Sequence, residues 1–533
     1  MIDRKATHKV RSTTCTEPAN PSGLRRREIL LCLLLCIITL GIYWQTGNHD
    51  FINLDDNLYV TENVYVQKGL TWESISWAFT ALHDGNWFPL TWLSHMADFE
   101  LFGLNPRGHH LTSIIIHTAS AVLLFLFLVS CTERLWRSFF VAALFALHPL
   151  HVESAAWIAE RKDVLCGFFW MLTLIAYSRY VKRPLPGRYL QTFFFCIMAL
   201  MAKPMAVTLP LVLFLMDYWP CALIHQEIQP GGFRNSLTGW APLSRLLKEK
   251  IPFLFLSLFS GAITLYAQQK WSYVIGLDLL PFGLRVENAL VAYTSYIGKM
   301  FWPVDMAIIY PYSRTLPLWH VGVSLLLLSV VSLTAFQARK RFPYLLIGWL
   351  WFVMTLVPVI GLIQVGSQSM ADRYTYLPLI GLFIMATWGV SDLMQGRRCG
   401  KGLLALSATM VLLVLSVVTY RQTSFWRNSG SIFEHALEAG TGNYMVQNNL
   451  GIAHNNLGMF LRRQGRNQEA LFHFLRAVEI SPNYATAHFN LGVTFTALGN
   501  RAAAIRHLET ALRINPKDEE ARQYLEFLVG AGH

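Results

Sequence analysis

The stretch Arg25-Arg26-Arg27-Glu28-Ile29-Leu30-Leu31-Cys32-Leu33-Leu34-Leu35-Cys36-Ile37-Ile38-Thr39-Leu40-Gly41-Ile42-Tyr43-Trp44 decides the fold, together with Phe51-Ile52-Asn53-Leu54-Asp55-Asp56-Asn57-Leu58-Tyr59-Val60 just after it. A membrane-crossing helix needs roughly 20 apolar residues, and the first run supplies them. Its leading arginines have the charge of a secretory leader, but the run is long enough to stay as a signal anchor. Basic flanks remain in the cytosol, so the adjacent carboxylates Asp55 and Asp56 emerge on the external face.

Further apolar runs follow at 110–131, 138–158, 164–181, 188–202, 204–218, 251–267, 318–337, 343–362, 375–393 and 402–420. With the first run at 28–48 they predict an all-α polytopic bundle of about eleven spans. Arg4, Lys5, Lys9, Arg11 and Arg25–Arg27 hold residues 1–27 in the cytosol; Arg134, Arg137, Arg179, Lys182, Arg183, Arg188, Arg245, Lys248, Lys250, Arg339–Arg341, Arg397, Arg398 and Lys401 mark later cytosolic turns. The loop 49–109 is acidic and external. A full crossing at 285–302 would reverse the sides, so that segment reads as re-entrant or interfacial. Runs 188–202 and 204–218 flank Ala202-Lys203-Pro204, a tight hairpin whose lysine reaches an interior cavity.

Composition agrees: 53% hydrophobic, 14% charged, mean hydropathy +0.37, against about 25% charged in soluble domains. The net charge of +12 lies mostly in topology-setting turns, and the tail has no basic stripe, so nucleic acid is excluded as the main partner. Cys32, Cys36, Cys166 and Cys196 sit in apolar runs; Cys15, Cys131, Cys221 and Cys399 sit in expected cytosolic segments. Neither disulfides nor a zinc site is expected from that distribution.

Residues 421–442 read as a linker and 443–533 as an external tetratricopeptide α-solenoid. Ala453-His454-Asn455-Asn456-Leu457-Gly458 recurs as Ala487-His488-Phe489-Asn490-Leu491-Gly492; Gly465/Gly499, Ala470/Ala504, Ala477/Ala511 and Pro482/Pro516 share the spacing of 34. Ala521 and Leu525 continue into a capping helix. Stacked helix pairs of this kind contact peptide or protein.

Within 49–109, Trp72, Ile75, Phe79 and Leu82 share a helical face with Thr71 as N-cap, and Pro89 starts a second helix. The tryptophans Trp72, Trp77, Trp87 and Trp92 fit helices lying in the membrane interface. His148, His151 and Glu153 have metal-ligand spacing, but Pro149 interrupts the register, so a polar cavity lining is the better reading. Arg161 and Lys162, next to Asp163, are placed for an anionic group; the plainer alternative is a hairpin with charges at its water end. Lys203 and Asp372-Arg373-Tyr374 converge on the same face, where arginine, lysine and tyrosine suit a lipid-linked phosphate.

On Asn53-Leu54-Asp55-Asp56 with Tyr59-Val60, Asn86-Trp87-Phe88-Pro89-Leu90, His148-Pro149-Leu150-His151-Val152-Glu153-Ser154, Arg161-Lys162-Asp163, Lys203-Pro204, Asp372-Arg373-Tyr374 and the repeats, the chain resembles the GT-C polytopic glycosyltransferases. Among them it is most similar to the transmembrane-and-tetratricopeptide O-mannosyltransferase family and its bacterial relatives. The resemblance implies an inverting single displacement from a polyprenyl-phosphate sugar. Asp55 or Asp56 would be the base, and Arg161, Lys203 and Arg373 would meet the departing phosphate. The acceptor would be a hydroxyl of a protein or envelope glycan. Mannose is the eukaryotic relatives' sugar and is not assumed here. Adjacent carboxylates, unlike an Asp-x-Asp pair, do not favour an essential divalent metal. The compact chain without a retention signal points to a bacterial inner membrane with periplasmic repeats. Two other functions compete: a polysaccharide polymerase or ligase using a lipid-linked oligosaccharide, and a non-catalytic scaffold recruiting partners through its repeats. A transporter is disfavoured because no inverted halves are evident.

Overall fold

The computed structural model describes residues 21–221, 240–271, 275–278, 280–312, 316–366, 368–395, 397, 400–439 and 444–530. Arg4, Lys5, Lys9, Arg11, Cys15, Arg398 and Cys399 lie outside them. The protein is a helical membrane bundle followed by a stack of helical repeats.

Among the described residues six segments are long and apolar enough to cross a membrane: Arg25–Asn48, Pro106–Thr132, Ile158–Lys182, Leu246–Lys270, Leu318–Ala338 and Gly400–Phe425. A seventh would be the pair Leu135–Leu147 and Pro149–Ala156, bent by 54°. The other expected spans are shorter helices: Pro186–Ala202, Pro204–Tyr218, Pro343–Leu356 and Leu379–Leu393. The about eleven apolar runs are therefore all helical, but fewer form a straight full-length span. Proline explains two of the interruptions. A residue before proline is pushed out of the α conformation: His148 sits at φ −79°, ψ 130° before Pro149, and Lys203 at φ −154°, ψ 132° before Pro204.

The helix Phe282–Phe301 covers the ambiguous segment and is not among the helices apolar enough to count as a span. Near its start Arg285 donates to the carbonyls of Ile275, Gly276 and Leu280. Near its end the Met300 carbonyl meets His148 on the Asp55 face. Between these, Tyr296 OH donates to the Ala371 carbonyl and accepts from the Ala371 N–H. Two short strands, Tyr310–Pro311 and Gln368–Met370, pair antiparallel on that face.

One large apolar core fills the membrane bundle. Pro343–Leu356 and Leu379–Leu393 cross at Gly348 and Gly381, where a Cβ on Gly348 would come within 2.4 Å of the Gly381 carbonyl oxygen. Small residues at a crossing allow such close backbone approach. A second core lies outside the bundle and joins Tyr43, Ile52, Tyr59, Trp92, Trp157 and Trp426.

The external loop folds as its residues dictate. Thr71 caps the helix Trp72–Thr80, its Oγ accepting from the Ser74 N–H at 3.2 Å, and Pro89 opens the helix Pro89–Phe102. The first helix buries Ser74 and Ala78 and leaves Trp72 83% exposed, while Trp77 stacks inward on Tyr65 and packs against the buried Trp92.

Of the expected linker 421–442, residues 421–439 are described and are packed helix and turn. The last span runs to Phe425, and Ser429–Glu438 is a helix whose Ile432, Phe433 and Ala436 enter the external core. Backbone ties secure it: the Asp50 N–H donates to the Arg427 carbonyl at 2.9 Å and the Asn53 N–H to Ser429 Oγ at 2.7 Å. The repeats are the helices Tyr444–Arg463, Asn467–Ile480, Ala485–Ala497 and Arg501–Ile514, with Glu519–Gly530 packed last. Gly458 faces the Phe474 ring and Gly492 faces Leu508, where any Cβ would clash.

Candidate active site

Asp55 and Asp56 are neighbours with different surroundings. Asp56 is fully buried; its Oδ2 accepts from the Ile52 N–H at 2.7 Å and its Oδ1 from the Ala159 N–H at 2.8 Å. It staples the external loop to the turn that begins the helix Arg161–Lys182. Burial pushes its carboxyl up to about 7, the nearby Asp55 charge adding to the rise while the two backbone N–H groups and Lys162 oppose it. Asp55 is partly exposed, and its charge acts on Lys162.

Beside this loop three cations meet one carboxylate. Glu160, almost fully buried, takes Lys162 Nζ at 3.1 Å and Arg373 Nε at 3.2 Å on Oε1, and Lys203 Nζ at 3.4 Å on Oε2. Each cation has a further partner. Lys203 pairs with Asp163, Arg373 with Glu153, and Lys162 reaches the Tyr59 hydroxyl at 3.4 Å. Glu153 Oε2 also accepts the Arg373 N–H at 2.9 Å, and Ser154 donates to Asp163 at 3.0 Å. The Arg373 guanidinium lies 5.7 Å from the Trp157 ring and 5.2 Å from that of Tyr374. Lys162, Lys203 and Arg373 thus balance Glu153, Glu160 and Asp163. Pro204 sets the lysine's place: the helix Pro186–Ala202 must stop, and Lys203 turns into the cluster.

The remaining predicted site residues stand elsewhere. Arg161 is fully buried and bonded within the protein, to Ser113 at 2.8 Å, Ser94 at 2.9 Å, Asp98 at 2.7 Å and the His109 carbonyl at 2.6 Å. It ties three helices together and has no face toward the cations. His148 and His151 are buried too. His148 accepts from the Leu150 N–H and donates through Nε2 to the Met300 carbonyl, and His151 Nδ1 lies 2.7 Å from the Phe145 carbonyl. They brace the bend rather than face the charge cluster. Glu160 was visible in the sequence beside Arg161 but carried no spacing that marked it as the meeting point. Asp372, which accepts from the Tyr310 hydroxyl at 2.9 Å, is pushed by burial to about 7, with Lys299 opposing and Glu153 reinforcing the rise. Among the described residues no group of three or more His, Cys, Asp or Glu is arranged to hold a metal ion.

Comparison with known proteins adds names to this geometry. The tetratricopeptide repeat family matches residues 449–517. The chain is 26% identical over 444 residues to the human Protein O-mannosyl-transferase TMTC1, covering 74% of this chain and 48% of that protein. It is 23% identical to human Protein O-mannosyl-transferase TMTC3, covering 74% and 44%, and 22% identical to Drosophila melanogaster Protein O-mannosyl-transferase Tmtc1, covering 86% and 62%. The chain spans about half the length of the human relatives it matches. Among solved structures, ArnT from Cupriavidus metallidurans bound to undecaprenyl phosphate aligns over 92% of this chain and 80% of that one, at 14% identity and a TM-score of 0.35.

Proposed function

We propose that this integral membrane protein transfers a sugar from a polyprenyl-phosphate donor to a hydroxyl acceptor, with inversion, on the membrane face that carries Asp55. The convergence of Lys162, Lys203 and Arg373 on Glu160 beside that loop is the observation that carries the reading. The relatives' names, protein O-mannosyl-transferases, support a protein as the acceptor. The positive flank of the first span supports an external, periplasmic site.

Asp55 is the proposed base, because Asp56 has both oxygens occupied by backbone N–H groups. Asp55 takes the acceptor hydroxyl's proton as that oxygen attacks the anomeric carbon. The bond from that carbon to the phosphate oxygen breaks, and the leaving polyprenyl phosphate keeps the electron pair. Its new charge falls among Lys162, Lys203 and Arg373, joining or displacing Glu160 as their anion. The polyprenyl tail lies along the bundle, and the repeats present or recruit the acceptor.

Membranes carrying the wild type, Asp55→Asn and Lys203→Gln are compared for transfer of radiolabelled sugar from polyprenyl phosphate. At equal protein level, both variants are expected to lose about 100-fold or more. Robust wild-type transfer undiminished in either variant removes that residue from the mechanism. Undiminished transfer in both rejects the site. A scaffold predicts the reverse: function intact in both and lost on deleting 443–533.

A further inference from the structure

At the opposite membrane face, away from the proposed catalytic cluster, the helices Pro21–Tyr43, Pro106–Thr132, Arg161–Lys182 and Pro186–Ala202 leave a cavity of about 510 Å³ between them. That lies within the range of roughly 300–1,000 Å³ found for small-ligand sites. Its lining is polarised. Leu123, Leu126, Leu172 and Phe195 form one wall, while Arg179, Lys182, Glu28 and Ser130 lie at the other end.

The helix rise fixes the depth of each end. Arg179 lies 18 residues beyond Arg161, roughly 27 Å along the axis, close to the ~30 Å of a bilayer's hydrocarbon core. The basic end therefore sits at headgroup level. Leu172 lies seven residues back, roughly 10 Å deeper, so the apolar wall runs into the acyl region. Arg179 and Lys182 are exposed, and Lys182 Nζ reaches the Ser130 carbonyl at 2.7 Å. Arg188 adds a third cation beside them, its Nη1 donating to the Arg179 carbonyl at 2.8 Å. Against these stands Glu28 alone among the lining acids, which leaves a net positive rim over an apolar slot.

We propose that this slot holds an anionic phospholipid of the opposite leaflet, its phosphodiester at Arg179 and Lys182 and one acyl chain against Leu126, Leu172 and Phe195. A phosphodiester of single negative charge offsets part of the rim's positive excess, and a lipid supplies the apolar half that a soluble phosphate lacks.

The full-length protein is reconstituted in nanodiscs of phosphatidylcholine with a minority of phosphatidylglycerol, then released and examined by native mass spectrometry for retained lipid. Phosphatidylglycerol is expected to be retained in preference. That preference should fall roughly 25-fold in the Arg179→Gln/Lys182→Gln double variant, at about fivefold for each basic side chain. Arg341→Gln, outside the slot, should keep it. Both glutamine substitutions are at exposed positions, and an unchanged melting midpoint verifies that the variant is folded. Equal retention of the two lipids overturns the proposal, as does a preference that survives the double variant. Inorganic phosphate competing the lipid away would name a soluble phosphate as the occupant and overturn it as well.

Discussion

Replacing Asp56 separates a brace from a base. In Asp56→Ala the Ile52 and Ala159 N–H groups, both on fully buried residues, lose their acceptors. An unpaired buried donor costs about 1–3 kcal/mol, so the loss is about 2–6 kcal/mol at pH 6, where the wild-type carboxyl is mostly neutral. Because Asp56 joins the external loop to the turn at Ala159, the opening is local first. Hydrogen–deuterium exchange of the purified protein is the suitable assay. Peptides covering 49–60 and 157–161 are expected to exchange at least roughly 30-fold faster, since each 1.4 kcal/mol is a factor of ten. Asp55→Ala, at a partly exposed position, should change exchange little. Wild-type exchange in Asp56→Ala would refute the brace. If in addition transfer vanished in Asp56→Ala but persisted in Asp55→Ala, the two roles would have to be exchanged.

Three further outcomes follow from the same contacts. Arg161→Lys keeps the charge but not the fork that reaches Ser94, Asp98, Ser113 and the His109 carbonyl; it should cost about 3 kcal/mol and lower the detergent melting midpoint, and an unchanged midpoint would count against the tie. Gly348→Val places side-chain atoms against the Gly381 backbone; a loss of about 3 kcal/mol or more should abolish the monodisperse peak in size-exclusion chromatography, whereas a normal peak would mean the helices can separate. For pH, the folded carboxyls of Asp56 and Asp372 lie near 7, above the ordinary 3.8. Their contribution is complete below about 3.8 and lost as pH rises through about 7, so the wild type should melt lower at pH 8.5 than at pH 6 and the gap to Asp56→Ala should narrow. A gap that widens with pH would contradict the burial of Asp56.

What the sequence disclosed and what it hid follow one physical division. Apolar length, the Thr71 cap, the Pro89 start and the 34-residue repeat are local patterns, and each appears as a helix or cap where expected. Lys203 was legible because proline forces its neighbour out of the helix. Partners distant in the chain were not. Asp98 is one acid among several in the acidic stretch 49–109, with nothing local to mark it, yet it pairs with Arg161. Lys250 read as a cytosolic topology marker, yet it is buried with Tyr177 and Asp217, each at 2.5 Å. Arg161 looked available to a phosphate for the same reason: its four partners come from the helices Pro89–Phe102 and Pro106–Thr132. The helix Ser429–Glu438 was hidden differently, since ten residues carry too little periodicity to stand out beside a strong repeat.

The root of the repeat stack also bears on the cationic cluster. Trp426, at the end of the last span, lies 5.6 Å from Trp157, and the Arg373 guanidinium lies 5.7 Å from the same Trp157 ring. Trp157 lies in the turn between Glu153 and Glu160, the two carboxylates that hold Arg373. The same root binds the loop of Asp55 through the Asp50 and Asn53 N–H groups. The root therefore touches the site at two places, by ring packing and by backbone hydrogen bonds. Neither contact runs through the membrane bundle. A repeat array hung on a flexible linker would have neither, and would affect the site only by raising the local concentration of whatever it binds. Because 421–438 is packed and not a tether, a protein bound by the repeats, as proposed above, would bear on Arg373 and Asp55 through these contacts.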